Sequence, residues 1–248
     1  HGSGAVGGVI QVFTRRPQGA PALYATAESG AQGTSRLNIG TQGKKGDLGY
    51  AISVGRVSTD GINASNLAQT VNANPDSDGY RNSNYSVHMS YDLGPDDKLG
   101  FRSTRFDGRF DYDVPGRLSM PTDVHKGTAR IDSNTVYWSG RFQPNWSSRL
   151  SYSDASERNT TATIGGFSFT TQAETRTRLL SWTHQIKLQS LVLSAGLDHQ
   201  SQGIGTATDN VSELNRQRRA DAVHRTVHRA RDRHRRRPGE PGQHHPVE

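Results

Sequence analysis

Three aspartates, Asp107, Asp111 and Asp113, are the residues of this 248-residue chain whose type and spacing come nearest to chemistry. They open a long polar stretch. Carboxylates gathered this closely can hold a hard cation such as calcium, which takes several oxygen ligands. They lack the Asp-x-Asp-x-Asp-Gly spacing of a compact calcium loop, so a solvated acidic loop is the competing reading. The histidines offer less. His88, His184 and His199 are isolated, and His224, His228, His234, His244 and His245 fall in a segment with no fold to fix them as ligands. Serines, histidines and aspartates are plentiful but form no nucleophile–base constellation. The chain reads as a non-enzyme, with no cofactor beyond a candidate calcium ion.

The elements around these residues alternate. Tyr85, Val87, Met89, Tyr91 and Leu93 interleave with Asn84, Ser86, His88, Ser90 and Asp92, one face apolar and one polar. Period-two alternation is the mark of a strand with two unlike faces. The same pattern recurs at Leu48–Val54, Leu99–Phe101, Val136–Phe142, Leu180–Ile186 and Leu191–Leu197, and no segment has a helical period. Strands are expected at about 22–29, 35–42, 47–57, 82–93, 97–106, 134–142, 148–157, 174–187 and 190–200. His88 falls on the polar face, and His184 falls in an apolar register. Short turns sit near Gly43–Gly46, Gly94–Asp97, Gln143–Trp146 and Leu188–Gln189. Longer polar stretches, at 58–79, 107–133, 158–173 and 200–215, lie between them.

A repeat of long loop, strand, short turn and strand is the signature of a transmembrane β-barrel. It accounts for a chain only 31% hydrophobic, with mean hydropathy −0.78, because half of each strand faces water. Tyr50, Tyr91, Phe142, Trp146 and Tyr152 suit an aromatic girdle at the membrane surface. The expected fold is all-β: a partial antiparallel transmembrane barrel of about nine strands, over residues 21–215. A soluble antiparallel sandwich is the alternative. The absence of cysteine excludes a disulfide scaffold and thiolate metal sites.

The chain opens with a glycine-dense motif. Gly2, Ser3, Gly4, Ala5, Val6, Gly7, Gly8, Val9 and Ile10 run into a short strand that ends Thr14-Arg15-Arg16. It leads into a strand, whereas phosphate-cradling loops lead into a helix. The motif resembles the end of the plug domain of TonB-dependent outer-membrane receptors, with His1 where that family usually has tyrosine. The stretch Asp76–Ser83 and the run Leu99–Gly116 look like the cobalamin (vitamin B12) branch. The resemblance implies that residues 1–20 end a plug and that the barrel follows. It also implies energised uptake of cobalamin or another metal chelate, a siderophore, through the outer membrane of a Gram-negative bacterium. Resemblance to the cobalamin branch also implies outer-loop aspartates that hold calcium. The expected partners are outer-membrane lipid and the chelate, with the TonB complex acting on the full-length parent only. Family barrels have more strands than this, so the chain reads as a fragment. A passive porin or structural barrel is the alternative, and the Gly2–Thr14 motif separates the two, since a porin has no plug.

Residues 216–248 differ abruptly. They hold ten arginines and four acidic residues, which accounts for +6 of the chain's +7, and no aromatic residue. This composition reads as a shifted reading frame or a disordered tail, and nucleic acid is not an expected partner.

Overall fold

The computed structural model of the chain describes residues 17–66, 68, 72–114, 120–166 and 168–209. These form nine strands: β1 (Ala22–Ser29), β2 (Ser35–Lys45), β3 (Leu48–Thr59), β4 (Tyr80–Asp92), β5 (Lys98–Asp111), β6 (Val124–Gln143), β7 (Trp146–Ile164), β8 (Phe169–Lys187) and β9 (Val192–Asp209). Each strand pairs antiparallel with the next, so the sheet runs β1 to β9 in sequence order. The all-β meander of nine strands agrees with the alternation in the sequence. The glycine motif (Gly2, Ser3, Gly4, Ala5, Gly7, Gly8, Val9, Ile10, Thr14) and the arginine-rich segment lie outside the described residues.

The strands connect tightly at one end, through 46–47, 93–97, 144–145 and 188–191. The loop end carries 30–34, 60–79, 112–123 and 165–168. Three long polar stretches turn out to be largely strand. β6 begins at Val124, not near 134; β7 runs on to Ile164; β9 reaches Asp209. The cause is a change in what alternates. Past the apolar part of β5 to β8, outward positions switch to charged and small polar residues, several of which pair across strands, and on β9 they switch to serine, glycine and alanine. Arg158 Nη2 lies 2.9 Å from Glu174 Oε2, Arg176 Nη2 lies 2.9 Å from Asp154 Oδ2, and Arg105 pairs with Asp132. Opposite charges on neighbouring strands stabilise a ladder about as well as apolar pairs do.

The outward face starts at the short-turn end with a belt of large apolar side chains. Leu99, Trp138, Leu150, Trp182 and Leu197 align across β5 to β9, and Phe101, Val136, Tyr152 and Leu180 form the next row. No described layer covers them, and Val136, Trp182 and Leu197 are 49%, 43% and 57% exposed. Half-covered side chains of this size have about 1 kcal/mol each still to gain by leaving water. A sandwich would bury this face against a second sheet. The loop-side edge of the belt is oblique: it stands at Leu37 on β2, Val54 on β3 and Tyr85 on β4, and nearer the short turns at Phe101, Val136, Tyr152 and Leu180 on β5 to β8. Tilted strands crossing a flat apolar slab produce this drift.

The opposite face is the concave one, because single-layer polar side chains are buried there. His88, Ser90 and Tyr137 are 4%, 7% and 4% exposed. Tyr137 lies over Gly100, its cross-strand partner, where a Cβ would meet the ring at 2.1 Å. A glycine is required at that position because only its bare backbone leaves room for the ring.

Candidate functional site

The loop end is tied together by Asp123. Its carboxylate accepts from the backbone N–H of Met120 (2.9 Å) and of Gly166 (3.0 Å), and its carbonyl accepts from Asn74 Nδ2 (3.0 Å). One residue therefore joins loops 60–79, 112–123 and 165–168. The two backbone donors hold the Asp123 carboxyl below its ordinary value of 3.8. Just beneath it, His125 Nδ1 lies 3.0 Å from Thr163 Oγ1, and the His125 ring packs on Tyr112 at 5.7 Å.

Beside this knot three carboxylates converge. One oxygen each from Asp76, Asp78 and Asp113 lies within 4.8 Å of the others. Local hydrogen bonds position two of them. The Asp76 N–H donates to Asn74 Oδ1 at 3.2 Å, and Asp78 Oδ2 accepts from the Ala64 N–H at 2.9 Å. Asp113 follows β5 directly, and its Oδ2 is buried with no hydrogen-bond partner. Loss of water, then the charges of Asp113, Asp78 and Asp111, push the Asp76 carboxyl above 3.8. Mutual repulsion with an orphaned oxygen is the state a divalent cation relieves, and an all-oxygen donor set suits calcium. The residues present fit such an ion.

Of the three aspartates picked from the sequence, only Asp113 is in this trio. Asp111 stands just behind it, its backbone N–H donating to the Gly79 carbonyl at 2.9 Å. Asp107 is absent from it, because it points outward on β5 opposite Ser83 and Arg130. The sequence alone does not group Asp76 and Asp78 with Asp113. Their two-residue spacing was visible, but nothing local shows that β4 and β5 bring them to Asp113.

On the concave face, His88 Nε2 and the Tyr137 hydroxyl are 2.8 Å apart, and the Arg149 guanidinium lies 3.9 Å from the centre of the Tyr137 ring. Arg102 covers the same ring at 5.2 Å. His88 thus lines the concave side, as its polar register implies. A cavity of about 1,200 Å³ opens beside this cluster at the short-turn end, with Lys44, Asp92, Lys98, Arg141, Arg149 and Gln185 in its wall. The first described residues lie near this end. The Gly19 carbonyl accepts from the Lys44 N–H at 2.9 Å, and Pro17 packs where a Gly49 side chain would project.

On the outward face at the same end, His184 meets an aromatic group. Trp182 lies 4.7 Å from its ring, and Trp146 Nε1 donates to its Nδ1 at 3.3 Å. Phe142 packs between Trp138 and Trp146. All three tryptophans of the chain are in this group. Amphipathic rings collected at one edge of an apolar belt mark a membrane–water boundary.

Comparison with known proteins agrees with this geometry. Over 114 residues the chain is 30% identical to Vitamin B12 transporter BtuB of Photobacterium profundum. Over that stretch the chain is thus similar to a transporter. The match takes in 46% of this chain and 18% of that protein, so the chain spans under a fifth of that relative. No protein-family model matches the chain.

Proposed function

We propose that this chain is part of the barrel of a TonB-dependent outer-membrane receptor that takes up cobalamin or another metal chelate. The apolar belt lies in the bilayer, the concave face lines the lumen, and loops 60–79, 112–123 and 165–168 stand outside the cell. The observation that carries this reading is the exposed oblique belt, which ends in a tryptophan cluster at the short turns and in charge at the loops. Only a membrane covers such a face without a second protein layer.

Asp76, Asp78 and Asp113, with Asp111 behind them, hold calcium in this account. The ion neutralises the cluster and fixes loop 60–79 against loop 112–123, which the Asn74–Asp123 contact already joins. Chelate binding then uses preordered loops. Residues 1–20, with Gly2, Ser3, Gly4, Ala5, Gly7, Gly8, Val9, Ile10 and Thr14, are the end of the plug in this reading, and Pro17, the first described residue, lies beside Gly49. The TonB complex acts on the full-length parent. The free edges of β1 and β9 pair with further strands, since an open edge is not tolerated in hydrocarbon.

The test is cobalamin binding to outer membranes carrying the full-length parent, with and without calcium. Saturable binding that weakens on calcium removal supports the reading. Calcium-independent binding sinks the cation's role, and absence of the protein from the outer membrane sinks the whole reading.

A further inference from the structure

Above the apolar belt, the outward side of β3, β4 and β5 carries a groove of about 690 Å³ that transport does not account for. Its wall contains four arginines, Arg56, Arg81, Arg105 and Arg109, and one acidic residue, Asp107. All five point outward, in step with Val54 and Tyr85, which form the groove's lower lip and the top of the belt. Arg105 is engaged with Asp132 and lies 5.8 Å from the Tyr85 ring centre. Among the described residues, Arg56, Arg81 and Arg109 make no ion pair. Farther round the sheet the outward carboxylates are also outnumbered. Asp132 serves both Arg105 and Arg130, and Asp154 serves both Arg176 and Arg178.

A protein surface facing bulk water scatters its charges. Here uncompensated guanidinium groups crowd against an apolar belt, and arginine forks match phosphate oxygens two at a time. We propose that this groove binds the phosphorylated headgroup of an outer-leaflet glycolipid, whose acyl chains lie down the belt over Val54 and Tyr85. The inference rests on the membrane reading above. Charge complementarity and continuity with the belt select the occupant: a ligand with phosphate above and hydrocarbon below satisfies both halves at once. A free anion leaves the lower lip uncovered, and an uncharged lipid leaves the arginines unpaired. Attraction to a phosphate-bearing surface is worth about fivefold in retention for each arginine.

The test is the lipid that the whole chain retains after mild extraction from Gram-negative outer membranes, measured per protein by mass spectrometry. The wild-type chain is expected to keep phosphorylated glycolipid. R56Q/R81Q/R109Q is expected to lose most of it, R56K/R81K/R109K to recover much of it, and R141Q, which removes one positive charge on the lumen side, to behave as wild type. In membranes whose glycolipid lacks phosphate, wild-type retention falls to the level of the glutamine variant. This arm decides the matter even if the triple variant does not assemble. Equal retention with and without glycolipid phosphate overturns the proposal and leaves the membrane reading standing. Displacement by low-millimolar inorganic phosphate also overturns it, by showing a free-ion site. A wild-type chain missing from the membrane overturns both.

Discussion

Asn74 donates its side-chain amide to the backbone carbonyl of Asp123, 49 residues away, at 3.0 Å. Through this contact, the loop that supplies Asp76 and Asp78 rests on the loop that follows Asp113. Changing Asn74 to Ala removes the donor and leaves the Asp123 backbone in place. A spin label at Ser65 is expected to gain mobility in N74A and not in N66A, as read by electron paramagnetic resonance.

Asp123 responds to acid in one direction. Its carboxyl is held below 3.8 by the N–H groups of Met120 and Gly166. A carboxyl lowered on folding stabilises above its unfolded value, and that contribution disappears as pH falls through the folded one. The joined loops should therefore stay ordered down to about pH 4 and loosen below it. D123N should show the loosened state at neutral pH, measured as faster proteolytic nicking between Met120 and Gly166.

Asp76 responds in the opposite direction. Its folded value is raised, so its charge opposes loop closure at neutral pH and protonation relieves that opposition. Calcium affinity should fall as pH drops towards 4 from above, while the calcium-free loops become more ordered over the same range. Removing one ligand, in D113N or D78N, should weaken calcium at least about tenfold by isothermal titration. D107N should leave calcium binding unchanged.

On the concave face, Tyr137 joins His88 and stacks against Arg149. Y137F removes the hydroxyl bond and should cost about 1 kcal/mol, whereas Y137A also empties a buried site and should cost about 3 kcal/mol or more. By contrast, D154A breaks exposed pairs with Arg176 and Arg178 and should cost under about 1 kcal/mol. Urea unfolding in detergent micelles ranks the three.

Much of the fold was legible because a strand with one apolar and one polar face alternates at every residue. Leu99 and Phe101, or Leu180 and Trp182, show the outward face by alternation alone. The pattern fades where the strands leave the apolar slab. Arg158 and Glu174 are partners on β7 and β8, yet in sequence they look like loop residues. The extra half-strands of β6 to β9 therefore have the composition of loops. The acidic site was half legible for a related reason. Asp113 sits beside Asp111 in the chain, but its partners Asp76 and Asp78 arrive by the β4–β5 register, which no local pattern shows. The arginine groove was invisible for the same reason, since Arg56, Arg81 and Arg109 come from three strands.

The most direct test of the account is a spin-label scan in bilayers along Tyr85–Tyr91 of β4 and Thr135–Phe142 of β6, read against oxygen and a water-soluble nickel chelate. Labels at Val87, Met89, Val136 and Trp138 should favour oxygen, and those at Ser86, His88, Thr135 and Ser139 the chelate, alternating at every residue. Labels at Asp132 and Arg105, above the belt, should favour the chelate although they point outward. Uniform access to the chelate, or no alternation, would contradict a lipid-facing belt and the receptor reading built on it.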